Sequence, residues 1–307
     1  MSSSGNDILG AFLQRQLGKW SLAAGNYEAL AVSSEKDFRL GSFPVKALHI
    51  PARIKSSGAK VDKASVAERA CFLCCKSRPE EQDVLGDWAD GRFEVLVNPY
   101  PICRRHFTIV SKLHEPQTSA PREMIEFARR YPGYTAFFNG ARAGASAPDH
   151  LHFQAVETSL LPLMKIAEEL MPLEGIAESV SAGLDFPFAF IAFAGEKALE
   201  GIFSVQGFDM GRGCKDRDLV NIFVWTGTDG VIRGVIVPRK AHRPACYFAE
   251  GEARMLLSPG ALDMAGLAVV PRPEDFARIT AQDIDMMYRQ TGITGNEYKE
   301  IYGNGRK

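Results

Sequence analysis

Residues 150 to 154 read His-Leu-His-Phe-Gln, with polar and apolar side chains in strict alternation. A period of two marks a half-buried strand, because successive side chains point to opposite faces of the sheet. The pattern predicts that His150, His152 and Gln154 share one face, neighbours about 7 Å apart, while Leu151 and Phe153 face a core. Four of the six histidines fall between positions 106 and 152, so this window is where chemistry is to be sought. A packed strand whose imidazoles merely bond to neighbouring groups is the plain alternative.

The flanking pattern is strand-rich with inserted helices. Ile8, Leu9, Phe12, Leu13, Leu17 and Trp20 recur at helical spacing, predicting one amphipathic helix over 6–20. Residues 51–64 mix Gly, Ser and three lysines and read as a loop. Phe93–Val97 and Phe107–Val110 read as paired strands joined through Asn98–Arg105. A helix follows over Pro121–Arg130, with proline at its first position and Pro132-Gly133 as its stop. Next come a strand at Tyr134–Phe138, the Gly-rich turn Asn139–Ser146 and a helix at Leu160–Met171.

Ser179–Asp185 reads as a linker from its Ser, Gly and Ala content. It divides the chain into units 1–180 and 181–307. The second unit predicts a strand at Phe188–Ala194 and a hairpin, Asn221–Thr226 with Val231–Val237, across Thr228-Asp229-Gly230. It ends with a helix capped by Thr280-x-x-Asp283 and stopped by Gly292. The fold class expected is α+β, with no clear internal repeat.

Composition narrows the function. With 36 basic and 37 acidic residues the formal net charge is -1, without the basic field that drives nucleic-acid binding. The longest apolar stretch, Phe186–Ala194, is broken by Pro187 and is too short to span a bilayer. The N-terminus lacks the basic-then-apolar signature of a secretory signal. Cytoplasmic residence is therefore the expectation, with neither nucleic acid nor membrane as partner. Six unevenly spaced cysteines do not make a disulfide scaffold, and Cys71-x-x-Cys74 reads as a metal or redox pair.

Several blocks together resemble the histidine-triad superfamily, and within it the galactose-1-phosphate uridylyltransferase branch. They are Cys71-Phe-Leu-Cys74, Asn98-Pro-Tyr-Pro, His106-Phe-Thr-Ile-Val-Ser-Lys-Leu-His114, Asn139-Gly to Gly144-Ala-Ser146, and His150-Leu-His-Phe-Gln154. Gln154, in place of a third histidine, is similar to the GDP-hexose phosphorylases. Softer likeness continues through Gly234–Lys240, His242-Arg-Pro and Ser258–Gly266.

The resemblance implies antiparallel sheets with flanking helices, as a duplicated half-unit, and an enzyme working by double displacement. His152 would attack the α-phosphorus of a nucleoside diphosphate sugar and carry the nucleotidyl group to phosphate or a hexose 1-phosphate. A neutral imidazole suits this role, since it is nucleophilic near neutrality and its phosphoramidate is labile. Gln154 and the backbone N–H groups of Gly144 to Ser146 would hold the phosphate oxygens, with Ser146, Asn98 and Asn139 as further contacts. Among Arg53, Lys55, Lys60, Arg104, Arg105 and Arg142, Arg53 and Lys60 are the first choices for neutralising phosphate charge. The resemblance also supplies a structural zinc site of Cys71, Cys74, His114 and His150, with His106 the rival of His114. Dimers are common in the superfamily, so a homodimer is a further expectation.

The loop from Ser146 to His150 is one residue longer than the uridylyltransferase pattern, and the second half has no His-x-His of its own. One catalytic centre per chain is expected. His242, with Arg239 and Lys240, offers a place for a sugar phosphate. The alternatives left open are a dinucleoside polyphosphate phosphorylase or hydrolase, and a zinc-stabilised binding protein without turnover.

Overall fold

The computed structural model describes residues 4–58, 65–66, 68–118, 120–171, 179–195, 197 and 218–302. Among them, nine strands form one sheet in the order β3-β4-β5-β7-β6-β10-β11-β9-β8, every paired neighbour antiparallel. Its strands are β3 (Leu85–Trp88), β4 (Phe93–Val97), β5 (His106–Ser111), β6 (Tyr134–Asn139), β7 (His152–Glu157), β8 (Ser179–Gly183), β9 (Phe190–Ala194), β10 (Val220–Thr226) and β11 (Ile232–Pro238). A second sheet joins β1 (Glu35–Leu40), β2 (Phe43–Leu48) and β12 (Leu267–Val269), the last parallel to β2.

The large sheet is buried on both faces, and the alternation of its strands explains how. Ala136 and Phe138 of β6, Ile222 and Val224 of β10, and Phe153 and Ala155 of β7 pack into one apolar cluster with the helices Ser4–Lys19 and Pro121–Arg130. Phe137, Phe223, Trp225 and Val156 point the other way, into a second cluster with β2, β12 and the helix Ala281–Thr291. On that second face β5 offers His106 and Thr108, and β7 offers His152 and Gln154. Register sets Thr108 opposite Gln154 and Val110 opposite His152.

Several expected elements stand as read. The helix Pro121–Arg130 has the expected bounds, and Thr280 caps Ala281–Thr291 with a reciprocal Asp283 contact. β10 and β11 close through Thr228-Asp229-Gly230, Gly227 N–H bonding Val231 O and Gly230 taking φ +80°. That is the three-residue form of the hairpin, with glycine in the left-handed position.

Other expectations need correction. The N-terminal segment is two helices: Trp20 adopts an extended conformation, and a second helix runs over Ser21–Ala31. Ile8, expected on the packed face, is largely exposed. Residues 51–58 are a helical turn, Pro51–Arg53 followed by Ile54–Ser57, and 59–64 lie outside the described residues. Ser179–Gly183 is an edge strand and not a linker. Its small side chains suit the pairing with β9, because a Cβ on Gly183 would collide with the Phe190 ring across the ladder. Strand β7 begins at His152, so His150 sits in the bend before it.

Candidate active site and metal cluster

A cavity of about 650 Å³ opens on the second face of the large sheet, and His152 and Gln154 line it. Also on its walls are Arg53, Lys55, Asn98, Asn139, Gly144 and Ser146, whereas the further candidates Arg104, Arg105 and Arg142 do not line it and Lys60 lies outside the described residues. Four basic side chains line the cavity, Arg53, Lys55, Arg69 and Arg243, against one carboxylate, Asp263, among the described residues. The Nε atoms of Arg53 and Arg69 are buried without a partner among the described residues. A buried, unsatisfied guanidinium N–H is costly, and an anion in the cavity would relieve it.

Hydrogen bonding determines which nitrogen of His152 carries the proton. Nδ1 lies 2.8 Å from the carbonyl oxygen of His150. A carbonyl only accepts, so Nδ1 donates and the neutral ring keeps its lone pair on Nε2. The backbone at His152 is also fastened: Gln117 accepts its N–H and donates to its carbonyl, and the same side-chain nitrogen donates to the carbonyl of Asn139. Gln117 thus bridges β6 and β7 where they diverge. Burial holds His152 down at about 4, opposed by its bond to His150.

Gln154 is oriented by a second chain of donors. His106 Nδ1 accepts the Ile102 N–H, so the ring proton sits on Nε2 and is donated to Gln154 Oε1 at 2.9 Å. Asn98 Nδ2 donates to the same oxygen at 3.2 Å. With Oε1 taken twice, the amide NH2 is the group left for a ligand. His106 is kept neutral, down at about 3, by burial and by the Arg53 charge.

The loop from Asn139 to Ser146 is held by backbone proximity. Gly144 takes φ +100°, and a Cβ there would lie 2.5 Å from Gly260 Cα. Asn139 Oδ1 accepts the Ala261 N–H at 2.7 Å and an Asn221 N–H at 3.0 Å, joining this loop to residues 258–261.

Cys71, Cys74, His114 and His150 gather with all four donor atoms within 4.8 Å of one another, a cluster that can hold a metal ion. Cys71 Sγ is 3.3 Å from His150 Nδ1, and Cys74 Sγ is 3.2 Å from His114 Nδ1. His150 Nε2 donates to Ser111 O at 2.8 Å, which leaves Nδ1 unprotonated and facing the thiols. His106 is absent from this cluster, its nitrogens being engaged with Ile102 and Gln154. Cys75 is exposed beside it. His150 does not line the cavity, so the expected single wall of His150, His152 and Gln154 is divided: one imidazole faces the thiols and the other faces the cavity.

Sequence reasoning missed Arg69. Its guanidinium donates to the carbonyl of Ser146 at 2.9 Å, approaches Asp149, and lies over the Phe72 ring. It also misassigned the partners of His242. Arg239 is buried and donates to Asn221, Thr291 and Pro259, while Lys240 pairs with Glu297. Only His242 of that trio lines the cavity, next to Arg243. Neither Arg69 nor Gln117 stands in a pattern that periodicity or spacing could single out.

Residues 12–157 match a family model described as a domain of unknown function (DUF4922). No curated protein matches the chain. Among solved structures, yeast Ap4A phosphorylase Apa2 in complex with Ap4A is 16% identical, covering 92% of this chain and 97% of that one with a TM-score of 0.59. The same enzyme in complex with AMP is 16% identical over 92% and 96%, with a TM-score of 0.58. The α+β arrangement of a large antiparallel sheet with flanking helices is thus similar in fold to the yeast Ap4A phosphorylase structures. No helix among the described residues is long and apolar enough to cross a membrane.

Proposed function

We propose that this protein is a nucleotidyl-transferring phosphorylase in which His152 is the nucleophile. The observation that carries the reading is the Nδ1–H bond of His152 to the His150 carbonyl, which presents an unprotonated Nε2 in a cavity rich in cations. Nε2 attacks the α-phosphorus, a P–N bond forms, and the bond to the leaving phosphate breaks with its electron pair departing on oxygen. An acceptor phosphate oxygen then attacks the same phosphorus and the pair returns to Nε2. The Gln154 amide, oriented by His106 and Asn98, donates to a non-bridging oxygen, and the backbone of Gly144 to Ser146 adds donors.

The Cys71, Cys74, His114, His150 set fits zinc. A tetrahedral ion with usual Zn–S and Zn–N lengths sets sulfur and nitrogen about 3.5 Å apart, and the sulfur to Nδ1 separations are 3.2 to 3.6 Å. Bound there, zinc supplies a closed structural cross-link with no open position for substrate. His150 would thereby be fixed, and with it the carbonyl that orients His152.

The donor on this reading is a nucleoside diphosphate sugar, with inorganic phosphate or a hexose 1-phosphate as acceptor. A second reading, a dinucleoside polyphosphate donor, is favoured by the four basic residues around the cavity and by the fold likeness to Ap4A phosphorylase. The test is incubation with GDP-, UDP- and ADP-hexoses and with Ap4A, each with and without inorganic phosphate, followed by phosphorus NMR. Phosphate-dependent release of a nucleoside diphosphate supports the proposal and names the donor class. Release of nucleoside monophosphate alone, or no turnover with any donor, overturns it.

A further inference from the structure

The mechanism above gives no part to His242, although it lines the same cavity as His152. We propose that His242 and Arg243, with the Ser258 hydroxyl, form the subsite for the phosphoryl group next to the α-phosphorus. It holds the leaving phosphate of the donor in the first half-reaction and inorganic phosphate in the second. The inference rests on the reading of His152 as nucleophile and deepens it.

Three observations support it. Arg243 is held in place: its Nε donates to Ser258 Oγ at 3.0 Å, its Nη2 reaches the Ser57 carbonyl at 3.4 Å, and its guanidinium lies over the Tyr247 ring, 4.1 Å from the centroid. The segment carrying Ser258 is seated on the phosphate loop, since Gly260 meets Gly144 and the Ala261 N–H bonds Asn139. The half-buried His242 ring is pushed down to about 4 by desolvation and by the charges of Arg243, Arg239 and Arg142. Three arginines around one neutral imidazole make a positive region, and the imidazole still has an N–H to give.

The chemistry asks for one such site. In an in-line displacement at phosphorus the leaving oxygen departs, and the entering oxygen arrives, on the side opposite Nε2 of His152. Leaving and acceptor phosphates therefore occupy one place in turn. In the second half-reaction an oxygen of HPO4²⁻ bonds the α-phosphorus as the P–Nε2 bond breaks and its pair returns to nitrogen. The proton stays on the terminal phosphoryl group of the nucleoside diphosphate released.

The test charges wild type, Arg243→Gln and His242→Gln with nucleotide, then follows discharge of the adduct against inorganic phosphate concentration by quenched intact-mass measurement. Loss of a charge-assisted contact predicts that half-maximal discharge needs at least about tenfold more phosphate in either variant. An unchanged phosphate dependence overturns the subsite. Should Arg243→Gln fail to fold, because Arg243 links Ser57 to Ser258, His242→Gln and Ser258→Ala carry the same test. Absence of any adduct on wild type would count against His152 and not against the subsite. Calorimetric titration of inorganic phosphate then decides: wild-type binding weakened in the variants upholds it, and no binding, or equal binding, overturns it.

Discussion

His106 donates its Nε2–H to Gln154 Oε1 at 2.9 Å because its Nδ1 already accepts the Ile102 N–H at 3.1 Å. A backbone amide thus decides which way a carboxamide two strand positions from His152 faces. Replacing His106 by Phe leaves Gln154 Oε1 held by the longer Asn98 contact at 3.2 Å, and kcat should fall about 10- to 100-fold with KM changed little. In a Gln154→Ala background the same substitution should cost almost nothing further. Additive losses would mean that His106 acts on the site by some other route.

Cys71→Ser removes one of the four donors of the cluster proposed to hold zinc. Elemental analysis of the purified variant should show zinc well below one per chain, and the melting temperature should drop by several degrees. Metal content equal to wild type would remove Cys71 from the ligand set.

Gly144 sits at φ +100° with Gly260 Cα where its Cβ would go. Gly144→Ala combines a left-handed backbone penalty of about 1–2 kcal/mol with a clash against main chain that cannot swing away. Lower thermal stability and at least tenfold weaker turnover are expected. A variant as stable and active as wild type would show that the loop does not need this close approach.

Asp263 is buried, and burial lifts its carboxyl to about 6, against the N–H bonds from Val269 and Gly260 and the charges of Arg53 and Arg239. A carboxyl raised on folding binds its proton more tightly in the folded state. Its contribution to stability is complete below about pH 4 and is lost as pH rises through about 6. The stability of wild type minus that of Asp263→Asn should fall by roughly 2–3 kcal/mol between pH 4 and pH 7. Urea unfolding across that range checks it, and a difference that grows with pH would reverse the assignment.

Much of the site could be read from residue order because its parts are local. Cys71 and Cys74 are one turn apart, and His152 and Gln154 share a strand face by period alone. The helix Pro121–Arg130 and the Thr280 cap likewise carry their own signals. What escaped depends on distant contacts. β12 joins β2 across more than two hundred residues as a three-residue strand, too short for any periodicity. The strand Ser179–Gly183 has a linker's composition, and its strand state rests on pairing with β9, where Phe190 leaves room only for glycine at 183. Gln117 and Arg69 act through backbone carbonyls distant in sequence, those of His152 and Asn139 for one and that of Ser146 for the other. The period of two extends to His150 in the sequence, yet the strand starts at His152, and Ser111 and the thiols hold the His150 ring away from the cavity.

On the proposed mechanism Nε2 of His152 takes up a nucleotidyl group. Intact-protein mass spectrometry after brief incubation with GDP-, UDP- and ADP-hexoses and with Ap4A tests it most directly. Wild type is expected to show an acid-labile gain equal to one nucleoside monophosphate residue, and His152→Ala, with its fold unchanged, no gain. An adduct of the same mass persisting in His152→Ala, or turnover retained by that variant, would contradict it.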